Sequence, residues 1–350
     1  MKTRLLSIIS VAALLVTGAA AQSILDLPRQ SQHAEVMQRV GLTNISVSYS
    51  RPLVNGRKVW GGLVPYDAVW RAGANENTVI TFSDPVSIEG QPLAKGSYGL
   101  HMLPTQNDWT VIFSRQAGAW GSFSYNKDED ALRVTVKPQP SEMQEALAYT
   151  VDAVPNSAVV TLRWEKLAVP FKVAVDVDQL VPASLKEQLR GGAQYVWESW
   201  AEASQYLYDH KLDLNTALKY ADTSIGVEER FDNMLLKSQV LDALNRQAEA
   251  KPALARAMEM GNAAQLHTYG RLLQIRGKQD EAFEVFRVVM KRFPNSWAAH
   301  NEAARFAVTK GDYDTAVKEM KASVPLAPQG FRVQLEALVK RLEQKQDINK

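Results

Sequence analysis

The sequence of 350 residues contains no cysteine. This absence excludes disulfide bonds, thiol catalysis, thiolate metal sites and a lipid anchor on an acylated cysteine. The sequence also has no Walker loop, no dinucleotide-binding glycine pattern and no serine elbow. Because the histidines do not have the spacing of metal ligands, we predict neither a metal site nor a cofactor. The five histidines are His33, His101, His210, His267 and His300.

Long apolar runs are also absent, apart from a short one at Leu5–Val16. That run is too short to span a membrane. Two basic residues precede it and Ala19–Ala21 follow it, which is the pattern of a Sec-type signal peptide over residues 1–21. We therefore predict an exported, soluble protein, periplasmic or secreted, that is cleaved after Ala21 and has no membrane span.

An excess of charge of either sign is lacking as well. Removal of residues 1–21 takes away Lys2 and Arg4, and 38 basic residues then balance the 38 acidic ones. A chain without net charge offers no electrostatic reason to bind nucleic acid or an anionic membrane surface. We therefore expect no nucleic-acid partner.

Short runs that alternate apolar and polar residues fill the first half of the mature chain. Ile45, Val47 and Tyr49 alternate with serines, and similar runs follow about every eight to twelve residues, separated by turn residues. This pattern predicts an all-β sandwich, jelly-roll-like, over residues 22–177. Near its start, residues 31–40 fit either a short helix or an edge strand.

A 34-residue interval replaces the alternation in the second half. Ala248, Ala282 and Ala316 recur at that interval. It resembles the tetratricopeptide repeat (TPR), in which paired helices stack into an array. The predicted segments are a linker and helix start over residues 178–192, a TPR-like α-helical domain over 193–345 and a polar tail over 346–350.

The repeat units differ in how well they fit the interval. A divergent unit is predicted over about 195–225, where Ala217 lies 31 residues before the next alanine of the series. A polar-backed capping helix is expected from Phe331 to Gln344. Two good repeat units are predicted over about 263–294 and 297–328, and a weaker one over about 231–260.

Long motifs in the first half resemble a known family. The motifs are GRKVWGGLVPYDAVWRAGANENTVITFS, LAKGSYGLHMLPTQNDWTVIFS, WGSFSYNKDEDALRVTV and LRWEKLAVPF. Over about residues 25–175 they resemble the bacterial family of domains of unknown function numbered 2911 (DUF2911). The resemblance implies an exported protein and a domain boundary, and some members look like fusions to helical repeats. It implies no reaction, substrate or cofactor.

The stretch from Arg57 to Ser83 is the part of the β region densest in rigid aromatic and polar groups. In one interpretation its aromatic side chains close one end of the sandwich. In the other, aromatic faces stack on a sugar or peptide while polar side chains hydrogen-bond to it. The candidate ligand-binding residues are Arg57, Trp60, Tyr66, Trp70, Arg71, Asn75, Glu76, Asn77, Tyr98 and His101.

These features predict a non-enzymatic binding or scaffold protein. Its aromatic-rich end would bind a small molecule or glycan, and its helical repeats would bind a protein or peptide partner. One alternative is a hydrolase or carbohydrate-active enzyme with two carboxylates in one cleft, about 5–10 Å apart. Its acid and base would come from Glu76, His101, Asp128 or Asp130. A purely structural envelope protein is the other alternative.

Overall fold

The computed structural model describes residues 28–349. It contains two compact units, and the boundary between them along the chain lies between Val177 and Asp178. In the described residues the first unit is built of strands and the second of α-helices, apart from short 3-10 turns. The predicted order of an all-β domain followed by an all-α domain is therefore confirmed. The predicted signal peptide lies outside the described residues.

The β domain consists of two antiparallel sheets. In the larger sheet the strand order is β1-β2-β3-β6-β7-β8, and in the smaller it is β5-β4-β10-β9. The strands are β1 (Gln32–Val40), β2 (Thr43–Arg51), β3 (Val79–Phe82), β4 (Val86–Ile88), β5 (Gln91–Leu93), β6 (Gly96–Leu103), β7 (Trp109–Ser114), β8 (Asp130–Val136), β9 (Gln139–Val154) and β10 (Ser157–Ala174).

The inner faces of the two sheets form one core. On β2 the alternating residues Ile45, Val47 and Tyr49 are all buried, as their period of two predicts. Phe113 of β7 meets Phe171 of β10 edge to face, with 5.8 Å between the ring centroids. Because these two rings come from different sheets and are both buried, the predicted sandwich is confirmed.

Residues 31–40 are expected from the sequence to form either a short helix or an edge strand, and in the structure they contain strand β1. It pairs with β2 in a regular antiparallel register, for example Val36 opposite Val47, and it is the first strand of its sheet. The segment is thus an edge strand and not a helix. Its charged residues Glu35 and Arg39 are exposed, and charges on an edge strand hinder pairing with other molecules.

Strands β9 and β10 form a long hairpin that the alternation did not fully predict. The residue runs around Trp164 and Phe171 belong to one strand, because β10 continues through irregular pairing between Arg163 and Leu167. Glu165 has a φ of 54° there. Such an irregularity bends a strand without ending it.

The α domain is a row of antiparallel helix pairs. Helices α2 and α3, α4 and α5, α6 and α7, and α8 and α9 pack as neighbours, and the last packs against α10. The helices are α1 (Val177–Gln188), α2 (Trp197–Asp209), α3 (Leu214–Val227), α4 (Phe231–Ala243), α5 (Gln247–Met260), α6 (Ala263–Ile275), α7 (Gln279–Arg292), α8 (Trp297–Thr309), α9 (Tyr313–Leu326) and α10 (Gln329–Glu343).

Each predicted repeat unit is a helix pair. The divergent unit over 195–225 corresponds to α2 and α3, where Ala217 is fully buried and its carbonyl accepts a hydrogen bond of 2.7 Å from Ser204 Oγ. Gly277 and Gly311 follow α6 and α8 with φ of 75° and 73°, a conformation that glycine adopts without strain. Among residues 28–349, no helix is both long and apolar enough to cross a membrane.

Candidate functional site

Four tryptophans pack together at the end of the β domain that contains the stretch from Arg57 to Ser83. Trp60 is 9% exposed and contacts the other three rings edge to face, with centroid separations of 5.9 Å to Trp70, 4.8 Å to Trp109 and 5.6 Å to Trp164. Trp60 is therefore a core residue that joins β7 to β10. Trp70 is only half-buried, so part of its ring is free to face a ligand.

Backbone hydrogen bonds hold this loop against strand β6. The amide of Asp67 donates to the carbonyl of Pro104 over 2.8 Å, and Trp70 and Met102 exchange two bonds of 2.8 Å. Tyr66 packs directly over Gly61, where an added Cβ would lie 2.8 Å from its ring. The stretch is thus a fixed part of the domain, with Tyr66 supporting its turn.

A cavity of about 450 Å³ opens beside Trp70. We call it the Arg71 cavity. Of the candidate residues, it contains Arg57, Trp70 and Arg71. Its other lining residues are Gln30, Ser31, Pro52, Leu53, Asn55, Leu63, Val64, Pro65, Val69, Gly73, Ala74, Ser122, Phe123 and Trp164.

The two arginines of the Arg71 cavity differ in their partners. Arg57 donates from Nε to the carbonyl of Val54 over 3.1 Å and from Nη2 to the carbonyl of Leu53. Arg71 has no hydrogen-bond acceptor among the described residues, and its Nε atom is buried. Its guanidinium lies 5.7 Å from the centroid of the Phe123 ring. Burial lowers the pKa of Arg71, which remains a cation at neutral pH.

A second cavity, of about 660 Å³, lies around Trp120 and contains Glu76 and Asn77. Glu76 forms an ion pair of 2.5 Å with Arg29. Burial raises the pKa of Glu76, but hydrogen bonds from its own backbone amide and from Arg29 outweigh burial and lower the pKa overall. Asn77 is buried, and its Nδ2 donates to the carbonyl of Gln116 over 3.1 Å. These polar groups hold neighbouring loops together.

The remaining candidates lie outside both cavities. Asn75 donates from Nδ2 to the carbonyl of Ser31 over 3.1 Å and has a φ of 58°. Tyr98 is buried and donates its hydroxyl to the carbonyl of Ala94 over 2.8 Å, while burial raises its pKa. Both side chains therefore have structural partners.

His101 is a buried residue of β6. Its Nδ1 lies 2.8 Å from Ser122 Oγ, and its ring lies 5.4 Å from that of Tyr125. Burial lowers the pKa of His101 to about 4, although Asp130 acts in the opposite direction. The imidazole is thus neutral at pH 7.

Asp130 belongs to a network with Tyr125 and Arg133. Its Oδ2 accepts hydrogen bonds of 2.7 Å from the Tyr125 hydroxyl and 2.8 Å from Arg133 Nη1. Burial and the hydrogen bond to Asp130 raise the pKa of Tyr125 to about 12. The neighbours thus occupy Oδ2 of this carboxylate, whereas Oδ1 is buried and has no hydrogen-bond partner among the described residues.

The acid and base groups of the hydrolase alternative do not meet in either cavity. Among the described residues, Glu76 is the one carboxylate that lines the two cavities, and His101, Asp128 and Asp130 line neither. Within residues 28–349, no three His, Asp or Glu side chains come close enough together to hold a metal ion. These two cavities therefore do not bring together the residues that the hydrolase alternative names.

The α domain contains a polar groove between α6, α8 and α10. Residues Asp347–Asn349, which we call the tail segment, fill this groove. Arg305 donates from Nη1 to the carbonyl of Ile348 over 2.7 Å, and Arg341 donates from Nη2 to that of Asp347 over 2.8 Å. Ile348 is 1% exposed. Part of the predicted polar tail is therefore packed inside the domain.

The side chain of Asn349 is held from two sides. Its Nδ2 donates to the carbonyl of Arg305 over 3.1 Å, and its Oδ1 accepts a bond of 3.4 Å from Gln274 Nε2. Gln279 Nε2 donates a hydrogen bond of 3.4 Å to the carbonyl of Asn349. The groove thus binds both the backbone and one polar side chain of the tail segment.

Arg305, which contacts the tail segment, has a charged neighbour. Arg305 lies 3.8 Å from Glu302, which also accepts a hydrogen bond from His267. Burial and the neighbouring Arg271 lower the pKa of Arg305 to about 10, against the effect of Glu302, so it stays a cation at neutral pH. A cation held this way is free to donate to peptide carbonyls.

Sequence reasoning missed this groove. Its signal is a set of polar residues on the buried face of helices that are otherwise apolar, since Gln274, Asn301, Glu302 and Arg305 are each less than 9% exposed. Buried polar groups are unusual and require partners. Here several of those partners come from a segment that the sequence presents as a polar tail.

A known family matches the first part of the chain. Residues 31–173 match the family described as a protein of unknown function (DUF2911), which confirms the resemblance carried by the motifs. No curated protein matches the chain.

Two solved structures similar to this chain lie at low identity. One is the crystal structure of YrrB, described as a TPR protein with an unusual peptide-binding site (18% identity, TM-score 0.27, covering 47% of this chain and 84% of that one). The other is the crystal structure of MamA (17% identity, TM-score 0.29, covering 46% of this chain and 89% of that one).

Proposed function

We propose that this is a non-enzymatic binding protein whose α domain holds a short peptide segment of a partner protein. The supporting observation is the tail segment itself, which lies in the polar groove as a peptide ligand would. Arg305 and Arg341 donate to two successive carbonyl groups of that segment. A partner segment of similar chemistry would occupy the groove in its place.

The contacts suggest which chemistry the partner offers. Contacts to backbone carbonyls accept any sequence, whereas the burial of Ile348 and the two-sided contacts of Asn349 depend on side chains. The favoured partner segment therefore has an aliphatic residue followed by asparagine. Such binding combines backbone hydrogen bonds for affinity with side-chain pockets for specificity.

Replacement of Ile348 by aspartate is expected to open the groove. Burial of a carboxylate among apolar groups is unfavourable, so the tail segment should leave. A tethered segment competes at an effective concentration in the millimolar range. A labelled, amidated KQDIN peptide should therefore bind the full-length Ile348→Asp variant at least about tenfold more tightly than the wild type. Fluorescence anisotropy measures both affinities.

The matched control is Gln346→Ala, because Gln346 is exposed and belongs to the same part of the chain. This variant should bind the peptide as weakly as the wild type does. Circular dichroism shows whether the Ile348→Asp helices are intact. A folded Ile348→Asp variant that fails to bind the peptide would contradict the proposal.

A second candidate function is the binding of a small ligand in the Arg71 cavity. The observation in its favour is the combination of half-buried Trp70 with Phe123, which is 84% exposed beside the cavity. Exposed aromatic groups beside a concave surface are typical of ligand sites. Such a site would bind a small molecule or glycan through the β domain.

Export of the protein is also part of the proposal. It rests on the basic, apolar and small-residue pattern of residues 1–21. Expression in a bacterial host should give a mature chain that begins at Gln22, as read by mass spectrometry of the extracytoplasmic fraction. An uncleaved chain retained in the cytoplasm would contradict this part of the proposal alone.

A further inference from the structure

The charged residues known to line the Arg71 cavity are all of one sign. Arg57 and Arg71 line it, and no aspartate or glutamate of residues 28–349 does. The whole mature sequence, by contrast, has equal numbers of basic and acidic residues. A cavity with cationic walls in a neutral protein favours an anionic ligand.

The two arginines differ in whether their N–H groups have acceptors. Arg57 is engaged with two backbone carbonyls. Arg71 has no acceptor among the described residues, although its Nε atom is buried. A partly desolvated guanidinium without a counter-charge is unfavourable, and native structures usually pair such a group. The partner of Arg71 is therefore expected to come from outside the described chain.

The glycine at position 121 makes room for the guanidinium. An added Cβ on Gly121 would clash with Nη1 of Arg71, and Gly121 has a φ of 67°, so this position suits glycine on both grounds. Two residues further on, Phe123 lies over the guanidinium while staying 84% exposed. The loop thus supports one face of Arg71 and presents an aromatic ring beside the cavity.

We infer that the Arg71 cavity binds a carboxylate attached to a flat apolar group. The guanidinium of Arg71 forms the paired hydrogen bonds to the two carboxylate oxygens, and the apolar group lies against Trp70 and Phe123. This inference rests on the ligand-binding function proposed for the β domain and specifies its ligand class.

Two considerations favour a carboxylate over other ligands. A neutral sugar would leave the charge of Arg71 uncompensated. A phosphate ester has up to two negative charges, and Arg57 already uses donors on backbone carbonyls. A single free guanidinium matches the single charge and planar shape of a carboxylate. The volume of about 450 Å³ lies in the range of roughly 300–1,000 Å³ that is usual for small-molecule sites.

The test compares three probes on the full-length protein by isothermal titration calorimetry. N-acetylphenylalanine provides the carboxylate, N-acetylphenylalaninamide provides the same shape without charge, and phenyl phosphate provides the other oxyanion. The acid is expected to bind at least about tenfold more tightly than the amide. The Arg71→Gln variant should lose that preference, whereas Arg39→Gln, which removes an exposed arginine of β1, should keep it.

Each other outcome has a distinct meaning. Equal binding of acid and amide would overturn the carboxylate inference and leave a ligand site in place. Tighter binding of phenyl phosphate would replace the carboxylate with a phosphate. Acid binding that survives in Arg71→Gln would overturn the assignment to this cavity. Absence of binding by all three probes would overturn the inference, and a subsequent glycan screen would decide the ligand function separately.

Discussion

Replacement of Trp60 by alanine is expected to lower the free energy of unfolding of the β domain by about 3–5 kcal/mol. The Trp60 ring is nearly buried and touches three other tryptophans, which come from the same loop and from both sheets. Truncation would leave a large void between them, because a closely packed interior relaxes only in part. Urea denaturation followed by circular dichroism measures the change.

Trp120→Ala is the matched control for Trp60→Ala. Trp120 is 49% exposed, and Arg29 lies over its ring at 5.6 Å. Its removal should change the free energy of unfolding by no more than about 1 kcal/mol, since exposed cation–π contacts contribute little. If Trp60→Ala instead has an effect as small as that of Trp120→Ala, Trp60 does not belong to the core.

Acid is expected to destabilise the β domain through His101. Burial lowers the folded-state pKa of His101 to about 4, whereas the pKa of an unfolded histidine is near its ordinary value of 6.5. Between these two values the unfolded chain binds more protons, so stability falls as the pH falls. The contribution is complete above about pH 6.5 and lost below about pH 4, and it amounts to about 3 kcal/mol at most.

The measurement compares urea denaturation at pH 7.5 and pH 4.5 for the wild type and His101→Gln. Other groups also titrate in this range, so the difference between the two proteins isolates His101. His101→Gln should lose less stability on acidification than the wild type does. His33→Gln, which changes an exposed histidine of β1, should behave like the wild type. Equal acid sensitivity of all three proteins would contradict the prediction.

Alternation predicted the strands whose two faces differ. On β2, Ile45 and Val47 face the core while Ser46 and Ser48 do not, so the period of two is visible in the sequence. Strand β9 was not predicted. It begins at Gln139, its first half is mostly exposed, and regular burial is limited to residues 147–151. An edge position explains this pattern, because an edge strand has less need of apolar residues.

Composition singled out the stretch from Arg57 to Ser83 as a candidate ligand site, but it did not show the roles of the individual residues. Trp60 and Trp70 look alike in sequence, yet one lies in the core and the other lines a cavity. The aromatic residue beside Arg71 is Phe123, which lies 52 residues further along the chain. Contacts between such distant residues depend on strand order, which local patterns do not specify. The groove of the α domain was missed because its contacts also join residues far apart in sequence, such as Arg305 and Ile348, which are 43 residues apart.

The strand order of the β domain also determines when its core becomes complete during synthesis. The ring of Tyr49 packs edge to face against that of Tyr149, which the ribosome adds 100 residues later, and the Tyr49 hydroxyl accepts a hydrogen bond from the Tyr149 amide. The ring of Trp60 likewise packs against that of Trp164, which is added 104 residues later. Until β10 has emerged, the early strands therefore have no second sheet to cover them. Their apolar faces must stay in an open, binding-competent chain during that delay, which is the state that chaperones recognise.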